Sequence, residues 1–489
     1  MSHPEWALKF KEKNTELRLI RGRYYLYKIS SVWDKDKKRA RKITGEMIGR
    51  ITENDGFIPK GTKKSKINVT ANISIKEYGA SHFLKASATD VIIKLEEYFP
   101  SNCQSIITLA IQRLIYAAPL KNMEFLYEES YLSETYQNLD LSKNSLTSLM
   151  QEIGGMREKI AEFMKHFIDG STQLVFDVTN VNSNSKLTKA VSQGYNSNHD
   201  FASQINLFYV FSTNKQLPVY YRIFPGNITG MKALKNCMKE VGSSNMLVIG
   251  DKGFYSKDNA KDLDESSSQY IFPLKRDSSL ISYERLDSRD YTQAFDGHFF
   301  YKDRVIFYYT KEMIEGNEQA NAVCKKLVVF YDKSLALEEE NSYLKHIQNK
   351  LEGYSMAGYI AKQMKFGTIS MITNIITLSP RQIYENYKSR MEIETLFDSY
   401  KNLIKADRTY MQSDQAMEAW MFINHLSMIM YYNIYNKLKN KNMLTRISPA
   451  DILMRLSRVN KIRINKSWIT SEINAKTLSF LKNLDTHIT

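Results

Sequence analysis

The sequence has few of the residues that build cross-linked or membrane-embedded proteins. Only three cysteines occur in 489 residues (Cys103, Cys237 and Cys324), too far apart in sequence to suggest a disulfide framework or a zinc knuckle. Nine prolines and 20 glycines exclude a collagen-like chain. No run of about 18 uncharged apolar residues occurs, so we expect no membrane-spanning helix. The polar, charged first residues predict no signal peptide, and a reducing cytoplasm fits the low cysteine content.

The remaining composition is that of a globular protein. Hydrophobic residues make up 43% of the chain and charged residues 25%. These fractions exclude a wholly disordered chain. A chain of 489 residues is too long for one compact domain, so two to four folded units are expected.

Positive charge is concentrated near the two ends of the sequence. The whole chain carries 68 Lys and Arg against 53 Asp and Glu, a net charge of +15. Residues 1–66 have a net charge of +10 and residues 437–466 a net charge of +8, which leaves the middle close to neutral. Two basic regions around a near-neutral centre favour a polyanionic partner such as nucleic acid, although basic surfaces also serve solubility.

The pattern of strands and helices predicts an α/β protein with a ribonuclease-H-like catalytic core. From QLVFDVTN onward, three apolar strands are followed by the helical MKALKNCMKEV, the buried strand NMLVIGD, a second helix and the strand QYIFPL. This β-β-β-α-β-α-β order is typical of that core. The predicted segments are a basic β-rich N-terminal domain expected to bind DNA (1–75), a helical domain (76–170), the first part of the core (171–274), a β-rich insertion (275–376), the second, helical part of the core (377–440) and a basic C-terminal segment (441–489).

Two aspartates lie on predicted core strands. Asp177 is within the apolar strand LVFDVT, where an ionised side chain is costly to bury without a partner. Asp251 follows the strand LVIGD, and strand ends are where α/β cores hold ligands and metals. Each aspartate alone is equally consistent with a strand-end acid that bonds backbone or caps a helix.

A third group of polar side chains shares one face of a predicted helix near residues 380–403. At 100° per residue, Tyr387, Arg390, Glu394 and Lys401 fall within roughly 60° of one another. Such a stripe is unsuited to an apolar core. The plain alternative is a surface ion pair between Arg390 and Glu394, worth only tenths of a kcal/mol. Asp398 lies near the same face and is the main rival to Glu394.

The spacing Tyr387-x2-Arg390-x3-Glu394-x6-Lys401 resembles the Y-R-E-K signature of the insertion-sequence-4 group of bacterial DDE transposases. The sequence is most similar to the branch with a β-rich N-terminal segment and a large insertion. The resemblance extends over about residues 170–435.

Further motifs support the resemblance. They are the strand around Asp177, IGDKGFYS around Asp251, FPGN at 224–227 and GYNSNHD at 194–200. Lys252 stands where the family often has arginine, a departure that leaves the carboxylates unchanged.

The resemblance implies catalysis by Asp177, Asp251 and Glu394, and the residue chemistry is consistent with it. Phosphodiester cleavage needs an activated attacking oxygen and a stabilised leaving oxygen, which two divalent ions about 3.5–4 Å apart can supply. Mg²⁺ prefers hard oxygen ligands, with Mn²⁺ as a possible substitute, and three carboxylates could hold two such ions.

The same resemblance implies that Tyr387, Arg390 and Lys401 bind DNA near the scissile phosphate. Arginine matches phosphate oxygens with two donors, and lysine supplies a point charge. The expected partners are the double-stranded DNA of the transposon ends and of the target, bound by a homodimer. The expected setting is the bacterial cytoplasm, at the nucleoid.

Some family features have no clear counterpart. No tryptophan lies between residues 34 and 419, so an indole that stacks on a base in the insertion is missing. Phe299, Phe300 and Tyr301 could substitute for it, although sheet packing explains them as well. His199 is the only histidine near the core motifs, and a plain loop histidine is the simpler interpretation.

Three other functions remain open from the sequence. A metal-dependent nuclease of the same fold would cut DNA without joining it to a target. A non-catalytic, transposase-derived DNA-binding protein would not need all three carboxylates. A two-carboxylate glycosidase would need neither the basic ends nor the Arg/Lys stripe.

Overall fold

The computed structural model describes residues 3–35, 37–60, 73–168, 173–195, 201–228, 230–241, 246–287, 291–315, 323–486 and 488. The chain divides into two compact units, Met1–Ile73 and Ser74–Thr489. Among the described residues, every helix is too short or too polar to cross a membrane.

The first unit is a four-stranded antiparallel sheet with one short helix. It is formed by α1 (Glu5–Leu8), β1 (Thr15–Ile20), β2 (Arg23–Asp34), β3 (Arg39–Thr52) and β4 (Gly56–Pro59), with the strands in sequential order. Arg21 and Gly22 connect β1 to β2 with φ of 49° and 76°, the left-handed pair that a two-residue hairpin turn requires. The small core consists of Ala7, Leu17, Leu26 and Ile51.

The second unit begins with a strand and a group of helices. They are β5 (Ile73–Glu77), α2 (Gly79–Ser87), α3 (Thr89–Tyr98), α4 (Cys103–Tyr116), α5 (Met123–Glu129), α6 (Leu132–Thr135), α7 (Lys143–Gly155) and α8 (Arg157–Lys165). Ten consecutive residues of α4, from Ile106 to Ile115, include nine that are buried, as expected for the apolar stretch IITLAIQRLI.

A large mixed sheet forms the centre of the second unit. Its strands are β6 (Gln173–Ser183), β7 (Ser192–Tyr195), β8 (Phe201–Ser212), β9 (Leu217–Pro225), β10 (Leu247–Ile249), β11 (Gln269–Pro273), β12 (Gly297–Tyr301), β13 (Arg304–Glu315), β14 (Val323–Asp332), β15 (Thr368–Thr373) and β16 (Arg408–Thr409).

Strand β6 is central in this sheet. It pairs in parallel with β10 on one side and antiparallel with β8 on the other, while β10 pairs in parallel with β11 and β8 antiparallel with β9. Helices α9 (Gly230–Val241) and α10 (Lys257–Glu265) connect β9 to β10 and β10 to β11. Nine consecutive buried residues in β8 show that both faces of the sheet are covered here.

The segment 275–376 extends the central sheet. Strand β15 lies antiparallel to β11, and β14, β13 and β12 follow in order beyond it. The helices of this segment are α11 (Tyr291–Ala294), α12 (Lys333–Gln348) and α13 (Met356–Lys362). The predicted insertion is therefore continuous with the core through its backbone hydrogen bonds.

The helical region after β15 is interrupted, so the expectation of one long helix over 380–403 is wrong. It consists of α14 (Pro380–Lys388), α15 (Met391–Asp398) and a single π-helical turn, Ser399–Leu403. Helix α14 begins at a capping box formed by Ser379 and Gln382. At the end of α14, the Ser389 hydroxyl donates a hydrogen bond to the carbonyl of Asn386, 2.6 Å away, in competition with backbone donors.

The long helix α16 (Asp414–Asn440) is buried on most of its circumference and packs against α4, α7 and β9. The chain ends with α17 (Pro449–Leu456), β17 (Asn460–Ile464), β18 (Ser467–Thr470) and α18 (Ala475–Asn483). Strands β18, β17 and β5 form a separate three-stranded sheet.

Candidate active site

Asp177 lies in the middle of the central strand β6. Its side chain is 19% exposed. One carboxylate oxygen accepts a hydrogen bond from the backbone N–H of Val178 at 2.8 Å, and the other accepts one from Arg390 Nη1 at 3.1 Å. The strand therefore holds a nearly buried carboxylate with both oxygens engaged.

Asp251 follows the end of the neighbouring strand at the same level as Asp177. The parallel register pairs Ile249 with Val175, so two further residues along each chain bring these two aspartates side by side. Asp251 lies just beyond the last residue of β10, where the chain leaves the sheet. The two aspartates come together because their strands are parallel neighbours.

Helix α15 is held over this pair by aromatic packing. Tyr209, on β8, is the cross-strand partner of Asp177. The rings of Phe397 and Tyr400 pack edge-on against Tyr209, with centroids 6.3 and 6.1 Å away. Glu394 lies one helical turn before Phe397 and so faces the same region.

The charges of Asp251 and Glu394 act on Asp177. The pKa of Asp177 is raised to about 6, first by burial and then by repulsion from Asp251 and Glu394. The Val178 N–H and the Arg390 guanidinium act in the opposite direction. The structure thus brings Asp251 and Glu394, the other two sequence-predicted carboxylates, within electrostatic range of Asp177.

Arg390 bridges two of these carboxylates. Its guanidinium donates through Nη1 to Asp177 and through Nη2 to Glu394, and its side chain is only 17% exposed. Burial alone would lower the pKa of Arg390, but the acids and Tyr387 hold it above its usual value. Burial raises the pKa of Tyr387, which lies close enough to interact with Arg390, Asp251 and Glu394.

Lys401 and Asp398 are placed differently. Lys401 lies in the π-helical turn, where burial lowers its pKa and Asp407 is the charge that opposes this shift. Asp398 accepts a hydrogen bond from Asn402 Nδ2 at 2.6 Å and is not among the main causes of the pKa shift of Asp177. The geometry therefore favours Glu394 over Asp398 as the third acid, and the DNA contact of Lys401 stays a prediction.

The sequence and its site match a known protein family. A family model described as Transposase DDE domain matches residues 169–430, more than half of the chain. The chain belongs to the DDE transposase family. The predicted transposase family is thus confirmed, while the narrower insertion-sequence-4 assignment stays a prediction.

Comparison with single proteins adds little. One solved structure, titled "Cryo-EM structure of piggyBac transposase synaptic complex with hairpin DNA (SNHP)", is 12% identical, with a TM-score of 0.38 over 76% of this chain and 70% of that one. A similarity this low carries no information about the site. No curated protein matches the chain.

The acids of this transposase are of the right chemical type to bind a divalent metal, but in this structure they are too far apart to share one ion. Carboxylate oxygens are the ligands that Mg²⁺ prefers. Within the described residues, however, no three His, Cys, Asp or Glu side chains are grouped closely enough to hold an ion. Arg390, paired with both Asp177 and Glu394, supplies the positive charge that balances these acids.

Two of the three predicted aromatic substitutes pack against a helix, and the third is exposed. Phe299 and Tyr301 pack against Tyr384 of α14, with ring centroids 5.5 and 5.2 Å away, which is ordinary sheet-on-helix packing. Phe300 points outward and is 64% exposed. His199 lies outside the described residues.

The hydrogen bond between Tyr209 and His425, beneath the site, could not be predicted from the sequence. The Tyr209 hydroxyl lies 2.7 Å from His425 Nδ1, and both side chains are fully buried. Tyr209 is one aromatic residue within the apolar run INLFYVF, so only the fold shows that it supports both Asp177 and α15.

We expect Tyr209→Phe to destabilise the transposase by about 1–3 kcal/mol, because the buried imidazole nitrogen of His425 loses its partner. The ring contacts with Phe397 and Tyr400 remain, so α15 should keep its position and DNA cleavage should change little. Urea unfolding measures the loss. Tyr435→Phe, at a partly exposed position, is the control, and equal stability of the two variants would contradict the assignment.

Proposed function

We propose that the protein cuts the ends of a transposon and joins the resulting 3′-hydroxyl to target DNA, using a pair of Mg²⁺ ions held by Asp177, Asp251 and Glu394. The observation that supports this most is that Asp251, at the end of β10, and Glu394, on α15, both lie within electrostatic range of Asp177 on β6. Acids that repel one another cost stability, and metal chemistry is a reason to keep them together.

The strand arrangement supports a ribonuclease-H-like core as part of this proposal. Strands β9, β8, β6, β10 and β11 lie side by side in that order. Neighbouring strands are antiparallel among the first three and parallel among the last three. Such a sheet, built from a meander followed by two helical crossovers, agrees with the core expected from the sequence.

The residues of the site have separate tasks in the proposed reaction. A bound metal pair supplies activation of the attacking oxygen and stabilisation of the leaving oxygen. Asp177, Asp251 and Glu394 contribute hard oxygen ligands. Arg390 and Tyr387 bind and orient the phosphate, the first with a two-donor guanidinium and the second with its phenol. Arg390 pairs with Asp177 and Glu394 in this structure. With DNA and metal bound, the metal would take the place of Arg390 beside the acids, and the phosphate would take the place of the acids beside Arg390.

The partners belong to the same proposal. The first unit carries many of the basic residues and presents an antiparallel sheet, which suits binding to DNA phosphates. We propose that two copies of the chain assemble on paired transposon ends. Membership of the insertion-sequence-4 group, through the Y-R-E-K spacing that includes Lys401, is also proposed.

Product analysis tests this function. Purified protein is incubated with labelled duplex from the ends of the encoding element and with a supercoiled plasmid, in Mg²⁺, in Mn²⁺ and in EDTA. We expect metal-dependent cuts at the element end and covalent joining of that end to the plasmid. Cuts without joined products would identify a nuclease instead, and absence of both would contradict the proposal.

A further inference from the structure

A cleft in the second unit lies apart from the three acids. It has a volume of about 560 Å³ and opens between the end of α4, residues 117–121 and residues 405–411, with Trp420 of α16 in its wall. The size is that of a typical ligand site. We call it the α4–α16 cleft.

Its lining is basic and aromatic. None of the described residues that line it is acidic. Lys121 and Lys405 are exposed and form no ion pair among the residues that the structure describes. Arg408 lies 3.7 Å from Asp407, which is outside the lining. Arg113, Tyr410 and Trp420 also line the cleft.

Arg113 is a buried cation with no acidic partner in the part of the chain that the structure describes. Its side chain donates to Asn424 Oδ1 at 2.8 Å, to the Ala118 carbonyl at 2.9 Å and to the Lys405 carbonyl at 3.2 Å, all of them neutral groups. The residue is 3% exposed, and its guanidinium lies 4.9 Å from the ring centroid of Trp420. A buried charge without a counter-ion is costly, so an anion in the cleft would offset that cost.

Tyr410 adds an exposed aromatic face. It is 71% exposed at the edge of a cleft that also holds Lys405 and Arg408. Exposed rings beside cations are how proteins hold single-stranded or unstacked nucleotides, with the base on the ring and the phosphate on the cations.

The cleft is joined to the active site by the sheet itself. Strand β16 pairs with the far end of β6, where Arg408 is opposite Asn182. Asn182 is five residues from Asp177 on the same strand, a distance of about 17 Å at 3.3 Å per residue. One strand of DNA spans this distance with about five nucleotides, so DNA with a phosphate at Asp177 is long enough to reach the cleft.

We propose that the α4–α16 cleft binds backbone phosphates of the DNA whose cleaved bond lies at Asp177, and that Tyr410 stacks on a base that is unpaired there. The proposal rests on the function proposed above, since it assumes DNA at the active site. Arg113 sets the positive potential from within, while Lys121, Lys405 and Arg408 contact the phosphates.

Two sets of full-length variants test the proposal. The first combines Lys121→Ala, Lys405→Ala and Arg408→Ala, and its control combines Lys159→Ala, Lys476→Ala and Lys482→Ala, which remove the same charge from exposed positions elsewhere. Fluorescence anisotropy with a labelled element-end duplex, in EDTA and between about 50 and 200 mM salt, gives the affinity and its salt slope.

We expect the cleft variant to bind roughly 10- to 100-fold more weakly, with a salt slope shallower by about 0.9 for each phosphate that the protein no longer neutralises. The control should shift the slope far less. Tyr410→Ala should weaken binding to a duplex with unpaired bases by about 5- to 100-fold, and Tyr410→Phe should not, because stacking needs only the ring.

The outcomes separate the two proposals. If the wild-type protein neither binds nor cuts the element end, the proposed function fails. If it binds and cuts, but the cleft variant matches its control in affinity and slope, the cleft proposal is overturned and the function stands. Equal binding of Tyr410→Ala and Tyr410→Phe to the unpaired duplex would overturn the base contact.

Discussion

Replacing Glu394 with glutamine should reduce metal-dependent cleavage of an element end by roughly 10³-fold or more, a loss typical of removing a group that stabilises the transition state. Binding of the same DNA should stay nearly unchanged. Glutamine keeps the shape of the side chain but is a poorer metal ligand than a carboxylate. Glu394 is also half exposed, so the substitution should not destabilise the fold.

Asp398→Asn is the matched control for this substitution. Asp398 lies on the same helix, is exposed and bonds to Asn402 instead of taking part in the group around Asp177. Its variant should cleave at close to the wild-type rate. Gel-shift binding beside a nicking assay in Mg²⁺ measures both properties, and the opposite ranking of the two variants would mean that the third acid is misassigned.

Removing the guanidinium of Arg390 should have a broader effect. We expect Arg390→Ala to weaken binding to the element end by about 10- to 100-fold, since a hydrogen bond to a charged group contributes about 1.5–3 kcal/mol. Cleavage should fall as well. Without Arg390, the nearly buried Asp177 carboxylate loses its charged hydrogen-bond donor, so thermal stability should also decrease.

Two comparisons isolate the role of Arg390. Arg390→Lys keeps the charge but cannot donate to two carboxylates as a planar fork, so it should restore only part of the binding. Arg381→Ala breaks an exposed i,i+4 pair with Glu385 on α14 and should change binding and stability by no more than tenths of a kcal/mol. If the substitutions at positions 381 and 390 have equal effects, the Arg390–Glu394 contact is only a surface ion pair with no role in DNA binding.

The convergence of the two aspartates was predictable from the order of strands in the sequence, but their alignment was not. Asp177 lies in the middle of β6 and Asp251 beyond the end of β10, so aligned strand ends alone would not bring them together. The pairing of Ile249 with Val175 then sets their level, which only the structure gives.

The placement of the helix face was less predictable. The 60° stripe assumed one ideal helix, but the Ser389 hydroxyl bonds to the Asn386 carbonyl and the helix restarts at Met391. Beyond Asp398, the bond from the Ile404 N–H to the Ser399 carbonyl marks a π-helical turn, which changes the direction of Lys401. Side-chain competition and i→i+5 bonding are set by packing, so a period of 3.6 could not predict them.

The support beneath the site depends on long-range contacts. Tyr209 reaches His425, and Arg113 reaches Asn424 and Lys405, across more than 200 residues of sequence in each case. Neither contact leaves a local pattern. The α4–α16 cleft was invisible in the sequence for the same reason, since its cations come from two distant segments.

Mn²⁺ binding to the protein–DNA complex tests the central claim most directly, because it reports the metal ligands without depending on turnover. Electron paramagnetic resonance should show Mn²⁺ bound by the wild-type protein and by Asp398→Asn. Asp177→Asn, Asp251→Asn and Glu394→Gln should each lose that signal or bind much more weakly. Undiminished Mn²⁺ binding by these three variants, with DNA still bound, would contradict the assignment of the three carboxylates as the metal site.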